Sequence, residues 1–492
     1  MAHKTMVGGT AYNITGGKSM VSGTAYNITS GKTLVGGTEY NIGFGSGKAD
    51  AAVLYNTGDF VFQKGTSAET GKTAVASYTE FEDVIYTKPN DVPWYNYRTN
   101  ITNVYSSAEI TPTSMTHWFY YCRNLMAINY DNLNLVRVVN MCNTYYDCYN
   151  LTGSPVCGNN VTNMYGAYRN CNNLTGSPMC GDKVINMSWA YCNCQNLTGS
   201  PVCGNKVADM SYTYNNCCNL TGSPVCGSNV TNMQGTYDKC QNLTGSPVCG
   251  NKVKDFSYVY ENCYNLTGSP VCGSNVTTMC RAYNNCQNLT GSPVCGDNVT
   301  NMQSTYYNCQ NLTGSPVCGD KVTEFVYTYY RCLNLSGSPV CGNKVVSMAQ
   351  AYSDCRKLTG SPVCGNNVKT MYSTYYNCRN LTGSPVCGPN VTNISYAYYN
   401  CKKLGGNAYF YSSKISTMNS CFRYKNNSIR LNIYVLSGSI TNTTIHQTSA
   451  SSSIFGSSYT LTTNETCSYN TNYNIYIYPV ENVAAARAAN GD

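Results

Sequence analysis

The chain has 492 residues, only 11% of them charged, and a net charge of +8 spread over that length. A disordered polyelectrolyte is excluded, and so dilute a charge gives no reason to expect a nucleic acid partner. One compact domain of this size is not expected, whereas a solenoid has no such limit because each coil contacts only its neighbours.

Residues 4–42 hold three copies of a 14-residue unit: Lys4-Thr-Met-Val-Gly-Gly-Thr-Ala-Tyr-Asn-Ile, then Lys18 to Ile28, then Lys32 to Ile42. The even period keeps each side chain on its own face, and Thr10, Tyr12 and Ile14 alternate with Ala11, Asn13 and Thr15 as in a strand turned by Gly16-Gly17-Lys18. Such units resemble short β modules in virion proteins of phages of Gram-positive bacteria. Gly43-Phe-Gly-Ser-Gly-Lys reads as a linker. Residues 51–105 then read as β, with Val53-Leu-Tyr, Phe60-Val-Phe and Glu82-Asp-Val-Ile-Tyr as strands and Pro89 and Pro93 breaking the run.

A strict 23-residue period follows, with leucine from Leu151 to Leu404, tyrosine from Tyr145 to Tyr398, and cysteine from Cys148 to Cys401 and from Cys157 to Cys387. A fixed period of this length means a repeat array. Within one unit Met164, Ala167, Tyr168, Cys171 and Leu174 lie at offsets of 0, 3, 4, 7 and 10, which predicts one face of a short helix. Thr-Gly-Ser-Pro-Val-Cys-Gly is too short for a second helix and predicts a brief parallel strand with Pro at its start. Met115, Trp118, Phe119, Cys122 and Leu125 fit the same offsets with bulkier side chains, as a terminal capping unit would.

These residues place the repeat. Val161-Thr-Asn-Met with Tyr168-Arg-Asn-Cys-Asn-Asn-Leu-Thr resembles the BspA-like leucine-rich repeats, over Met115 to about Leu436. Gly-Ser-Pro-Val-Cys stands where that family has an aliphatic strand. The resemblance implies an α/β repeat solenoid, leucine-rich-repeat-like, with one short parallel strand and one short helix per coil and β-rich segments at both ends. About 14 stacked coils are expected. Known members are mostly cell-surface proteins that bind other surfaces, and similar repeats occur in tailed phages.

Beyond the repeat, Met418, Cys421 and Phe422 give a last degenerate coil in which Lys425 replaces the ladder cysteine. Ile429 to Leu436 and Tyr473 to Tyr478 read as strands of a β cap, and Glu481 to Asp492 as a short helix or a frayed tail. The division is therefore 1–48 (attachment), 49–110 (small β domain or cap), 111–404 (solenoid) and 405–492 (last coil and β cap).

The search for chemistry returns no catalytic residue, cofactor site or metal site. His3, His117 and His446, the only histidines, sit in different regions. Gly17-Lys18-Ser19 and Gly31-Lys32-Thr33 lack the upstream glycine of a phosphate loop. Twenty-three of the 30 cysteines belong to the two ladders, and Cys192-x-Cys194 lacks the spacing of a zinc or redox motif. The ladders read as small buried hydrophobes with a weak S–H donor, most of them reduced, with a disulfide staple between coils as the rival. Recurrent Asn-Leu-Thr reads as structural rather than glycosylated. Lys183, Lys206, Lys252, Lys321 and Lys344 read as a solvated edge.

No apolar run of signal-peptide or membrane-span length occurs, so a soluble chain made in the cytoplasm is expected, with no membrane insertion. Together these readings point to a non-enzymatic virion fibre, decoration or receptor-binding protein of a phage. Residues 1–48 would join other virion proteins, the solenoid would meet a host cell-surface glycan or protein, and a homo-oligomer is open. The alternative is a bacterial surface adhesin. Variation among repeats concentrates one, two, five and six places after the methionine, where Tyr165, Trp189, Tyr212, Tyr258, Tyr307, Tyr330, Tyr376 and Tyr399 supply the candidate recognition face.

Overall fold

The structure is a computed structural model that describes residues 48–437 and 474–491 in full, and elsewhere only the backbone of the strands named below. It divides into two compact units, one of Met1–Val84, Ile101–Pro112 and Ala127–Leu135, the other of Ile85–Asn100, Thr113–Met126 and Val136–Asp492.

In the first unit each 14-residue repeat supplies two strands where one was expected. They are β1 (His3–Val7) with β2 (Thr10–Ile14), β3 (Lys18–Val21) with β4 (Thr24–Asn27), and β5 (Gly31–Val35) with β6 (Thr38–Ile42), each an antiparallel pair. A mixed sheet follows, built from β7 (Ala51–Tyr55), β8 (Asp59–Gln63), β9 (Ala74–Tyr78), β10 (Asn103–Ser106) and β11 (Ala127–Ile128) in the order β11-β10-β8-β7-β9. Ala51, Val53, Tyr55 and Val61 form its buried centre. Glu82 to Tyr86 is not the expected strand; the Glu82 carboxylate instead accepts bonds from the Thr111 amide (2.8 Å) and hydroxyl (3.0 Å).

The second unit is a repeat solenoid. One parallel bridge per coil runs from Ser114 through Asn140, Asn163 and Asn186 to Asn393 and Thr417, joining fourteen successive coils in register. Each bridge residue directly precedes the ladder methionine, or the Phe256, Phe325 or Ile394 that stands in its place, so the parallel contact lies there and not in Gly-Ser-Pro-Val-Cys as expected.

The expected helix is absent from the coils. Ala167 N–H bonds Met164 O (3.0 Å), Cys171 bonds Tyr168 (3.1 Å) and Leu174 bonds Cys171 (3.1 Å), which are three β-turns in succession. Gly166 (φ 58°) and Asn170 (φ 64°) take the left-handed region, and the same two places do so in every coil. That conformation ends any α-helix. Intervening amides leave the coil: Met164 N–H reaches Asn186 O (2.8 Å) and Tyr168 N–H reaches Ala190 O (2.8 Å), one coil on. The apolar positions of the helix pattern survive, but the backbone bonds that would run along a helix run between coils.

The tyrosine and leucine ladders and the cysteine ladder from Cys148 to Cys401 are buried. Tyrosine rings from Tyr145 to Tyr398 stack face to face, as Tyr168 on Tyr191 at 5.5 Å and Tyr191 on Tyr214 at 5.7 Å, and the column is closed by Phe119 at one end and Phe422 at the other. From Tyr168 to Tyr375 each hydroxyl pins the irregular segment before it: Tyr168 Oη accepts from Val156 N–H (3.0 Å) and donates to Val156 O (2.8 Å), and Tyr375 does the same at Val363. A proline-containing segment that cannot form a ladder thus has its polar groups satisfied by a side chain. Buried Thr213 works similarly, donating to Met187 O (2.9 Å) and Met210 O (2.8 Å), while Cys171 donates to Tyr145 O at 3.0 Å.

Past the last regular coil the segment does become a strand. β12 (Val386–Cys387), β13 (Gly406–Phe410), β14 (Leu431–Leu436), β15 (Thr462–Thr463), β16 (Ser468–Asn470) and β17 (Ile475–Val480) form one sheet in the order β12-β13-β14-β17-β16-β15. The helix α1 (Val483–Ala489) follows, capped by Asn482, whose side chain accepts from Ala485 N–H.

Lys425, at the ladder-cysteine place of the last coil, is buried, and its ammonium donates to Asn426 O (3.1 Å) and Ile429 O. Burial pulls its pKa down to about 8 from the usual 10.5. Between those values the unfolded chain holds the proton and the folded chain does not, so this group makes stability rise from pH 8 to pH 10.5, by an amount on the order of 3 kcal/mol. Lys425→Met is expected to flatten that rise and to raise the melting temperature at pH 7; unchanged pH dependence of melting would refute it.

Candidate recognition face

Counting from each ladder methionine, the side chains one, two, five and six places on share the face opposite the buried ladders. The left-handed turn residues, two and six places on, fall within that set. Six places on, asparagine predominates, the residue that best tolerates this conformation apart from glycine. Its amides form a ladder of their own: Asn193 donates to Asn170 (2.6 Å), Asn216 to Asn193 (2.9 Å), Asn308 to Asn285 (2.9 Å) and Asn400 to Asn377 (2.7 Å).

Two places on, the residue is also left-handed yet variable, with Trp189, Tyr212, Tyr258, Arg281, Ser304 and Gln350 all at φ between 53° and 61°. Contacts between coils hold this conformation, since Trp189 N–H bonds Ser211 O (2.9 Å) and Tyr212 N–H bonds Gln234 O (2.8 Å). The backbone is thus the same in every coil whatever the side chain is.

Of the residues expected from sequence, Tyr165 is exposed (37%), and Trp189, Tyr212, Tyr258, Tyr307, Tyr330, Tyr376 and Tyr399 are half-buried. The burial comes from stacking. Trp189 lies on Tyr212 (4.3 Å), Tyr307 on Tyr330 (4.7 Å) and Tyr376 on Tyr399 (4.5 Å), each pair within 16° of parallel. Six of the eight expected rings therefore form three stacked pairs, because large side chains at equivalent places one coil apart meet face to face.

Sequence reasoning places Arg169, Asp238 and Lys239 at variable positions of this face but gives them no role, and it leaves out Arg281 and Glu261. The Arg169 guanidinium lies between Trp189 (4.2 Å) and Tyr146 (5.4 Å), and Arg281 lies over Tyr258 (5.8 Å). Arg281 also pairs with Glu261 at 3.4 Å. Burial holds the carboxyls of Asp238 and Glu261 above the usual carboxylate range, with Asp238 adding to the shift at Glu261. Their place five after the methionine, on the aromatic column, was the available signal.

The other face repeats itself. The lysine edge hydrogen-bonds the preceding coil, Lys183 to Asn160 (2.6 Å), Lys252 to Asn229 (2.7 Å) and Lys321 to Asn298 (2.6 Å), and stays exposed. Every cysteine of the described residues is a free thiol, so the disulfide rival is not what the structure shows; Cys467 lies outside them, as do His3 and His446. Among the described residues no three His, Cys, Asp or Glu side chains gather as metal ligands, and no helix is long and apolar enough to cross a membrane.

Comparison with known proteins adds the following. The family model of the Kazal-type serine protease inhibitor domain matches residues 350–377, a length of the solenoid whose cysteines Cys355 and Cys364 are free. No curated protein matches the chain. A leucine-rich repeat protein of Bacteroides ovatus is 14% identical with a TM-score of 0.42, over 83% of this chain and 94% of its own. A leucine-rich cell surface protein of Faecalibacterium prausnitzii is 12% identical with a TM-score of 0.34, over 77% of this chain and 94% of its own.

Proposed function

We propose that the protein is a non-enzymatic recognition protein that holds out a stiff coil stack and meets a cell-surface glycan through the aromatic face. The observation that carries this is the contrast between two faces of one backbone: the Leu-Thr-Gly-Ser-Pro-Val-Cys-Gly side is nearly constant, while the opposite side varies coil by coil and bears pre-stacked rings, cations and amides. Stacked rings present broad apolar planes beside hydrogen-bonding groups at little cost in side-chain ordering, which suits sugar rings.

The carrier we favour is a phage particle, with residues 1–48 as the joint, because isolated two-stranded hairpins are marginal alone and gain from a neighbouring sheet. A bacterial cell surface is the rival carrier, and it leaves the same face free.

The test changes Trp189, Tyr258 and Tyr330 together to serine. Serine occupies the Trp189 and Tyr258 position natively at Ser304 (φ 53°) and Ser373 (φ 51°), so the coils are expected to stay stacked. Binding to host cells or to an array of their glycans should fall at least ~10-fold, a loss of about 1.4 kcal/mol, at unchanged circular dichroism. Full binding by the folded variant would refute the face.

A further inference from the structure

The two cysteine ladders differ in what their sulfurs do. Those from Cys148 to Cys401 are buried and donate to a carbonyl of the preceding coil, as Cys286 to Tyr260 O at 3.0 Å. The ten from Cys157 to Cys364 are only half-buried; each donates to the carbonyl of the glycine that follows it, as Cys203 to Gly204 O at 3.5 Å, and their sulfurs also accept. Gly342 N–H donates to Cys318 Sγ at 3.2 Å, and the equivalent glycine amide of the next coil acts on Cys157, Cys203, Cys249 and Cys295 in the same sense, favouring the thiolate. Glycine is needed there: a Cβ on Gly250 would stand 2.9 Å from Cys226 Sγ, and one on Gly319 3.0 Å from Cys295 Sγ. Amide donors aimed at sulfur are the outer contacts that tune a metal-bound thiolate.

Access and spacing complete the arrangement. Cys295 and Cys318 line an open groove of about 490 Å³ together with Asp297, Asp320 and Lys321. Paired parallel strands lie about 5 Å apart, and equivalent tyrosine rings of successive coils lie 5.5 to 5.7 Å apart. A disulfide needs Cβ atoms nearer ~3.8 Å, so in-register thiols do not close one without moving a coil. Two metal–sulfur bonds of about 2.3 Å laid end to end span ~4.6 Å, which two half-buried thiols reach by leaning toward each other without moving a coil.

We propose that the groove ladder is a binding site for soft monovalent cations, Cu(I) or Ag(I), each held in two-coordinate fashion by cysteines of adjacent coils. Thiolates select such soft ions. The absence of any third His, Cys, Asp or Glu ligand among the described residues argues against a tetrahedral zinc site and leaves the digonal one. Each isolated bridge forms two metal–sulfur bonds and releases two thiol protons to solvent, with no change of oxidation state. Burial pushes these thiols up, to about 11 at Cys272 and about 12 at Cys318, so at neutral pH they keep their protons until a thiophilic cation displaces them. Ten half-buried sulfurs make five isolated pairs, or up to nine bridges if each inner thiolate is shared.

The experiment titrates the reduced full chain with Ag(I), and with Cu(I) under ascorbate against a competing chelator. Thiolate-to-metal absorbance, proton release and melting temperature are followed together. Five to nine cations per chain are expected, with a rise in melting temperature, because the pairs exist only in the folded coils. Changing Cys272, Cys295, Cys318 and Cys341 to serine leaves five adjacent sulfurs and an isolated Cys364, so uptake should fall from about five to nine cations to about two to four, whereas Cys286→Ala and Cys309→Ala in the buried ladder should not lower it. X-ray absorption on the loaded wild-type chain, which needs no variant, should show two sulfur neighbours per metal. A falling melting temperature, uptake indifferent to the groove cysteines, or oxygen and nitrogen neighbours would overturn the proposal.

Discussion

Tyr283→Ala is expected to destabilise the coil stack by about 3–5 kcal/mol, and Tyr283→Phe by about 1–3 kcal/mol. The ring is fully buried, stacked on Tyr260 at 5.6 Å and on Tyr306 at 5.5 Å, so its removal leaves a cavity between two planes that cannot collapse without bringing coils out of register. The hydroxyl has a separate role. It accepts from Val271 N–H (2.9 Å) and donates to Val271 O (2.7 Å), and phenylalanine would leave both buried groups unpaired. Tyr398 supplies the control: its hydroxyl is buried with no hydrogen-bond partner, because the matching segment, Val386–Cys387, has become β12 and bonds β13 instead. Tyr398→Phe should therefore be neutral or slightly stabilising. Urea midpoints of the three variants decide it; equal costs for the two phenylalanines would show that the hydroxyl bonds contribute nothing.

The stacking was legible in sequence because every ladder position, from methionine to leucine, is buried by the next copy of itself, and periodicity records that. The local backbone was not. Offsets of 0, 3, 4 and 7 place side chains on one face in a helix and also in successive β-turns, and what separates the two is the sign of φ two and six places after the methionine. Asparagine at Asn170, Asn193 and Asn216 was a clue to the left-handed turns, but Trp189, Tyr212 and Arg281 concealed it, since nothing in those residues favours positive φ. The hydroxyl of the ladder tyrosine was the missed signal for the strand: a tyrosine kept where phenylalanine would pack equally well implies a backbone segment in need of a partner. On the candidate recognition face the stacking was missed, because equivalent positions one coil apart were treated as separate when their rings meet, as Trp189 and Tyr212 do.

Gly268→Ala is expected to cost on the order of 2–5 kcal/mol, from two separable causes. Its φ of 82° lies in the left-handed region, which costs an L-residue about 1–2 kcal/mol. The added Cβ would also stand 2.9 Å from Ser246 Cβ and 3.2 Å from Ser246 Cα of the preceding coil, an overpacking worth about 1–3 kcal/mol. Gly153, the first of the row, isolates the first cause: its φ is 86° but nothing lies within 4 Å of the Cβ position, so Gly153→Ala should cost only the backbone part. Ser246→Gly beside Gly268→Ala should recover most of the second cause and none of the first, giving a coupling energy of about 1–2 kcal/mol in a double-mutant cycle. Because each coil is held only by its neighbours, the damage should also be local. Amide exchange should quicken first around Ser246 and Gly268, while coils near Leu151 and Leu381 keep their protection. Equal costs at Gly153 and Gly268 would mean that the close approach of coils is not what requires glycine in this row.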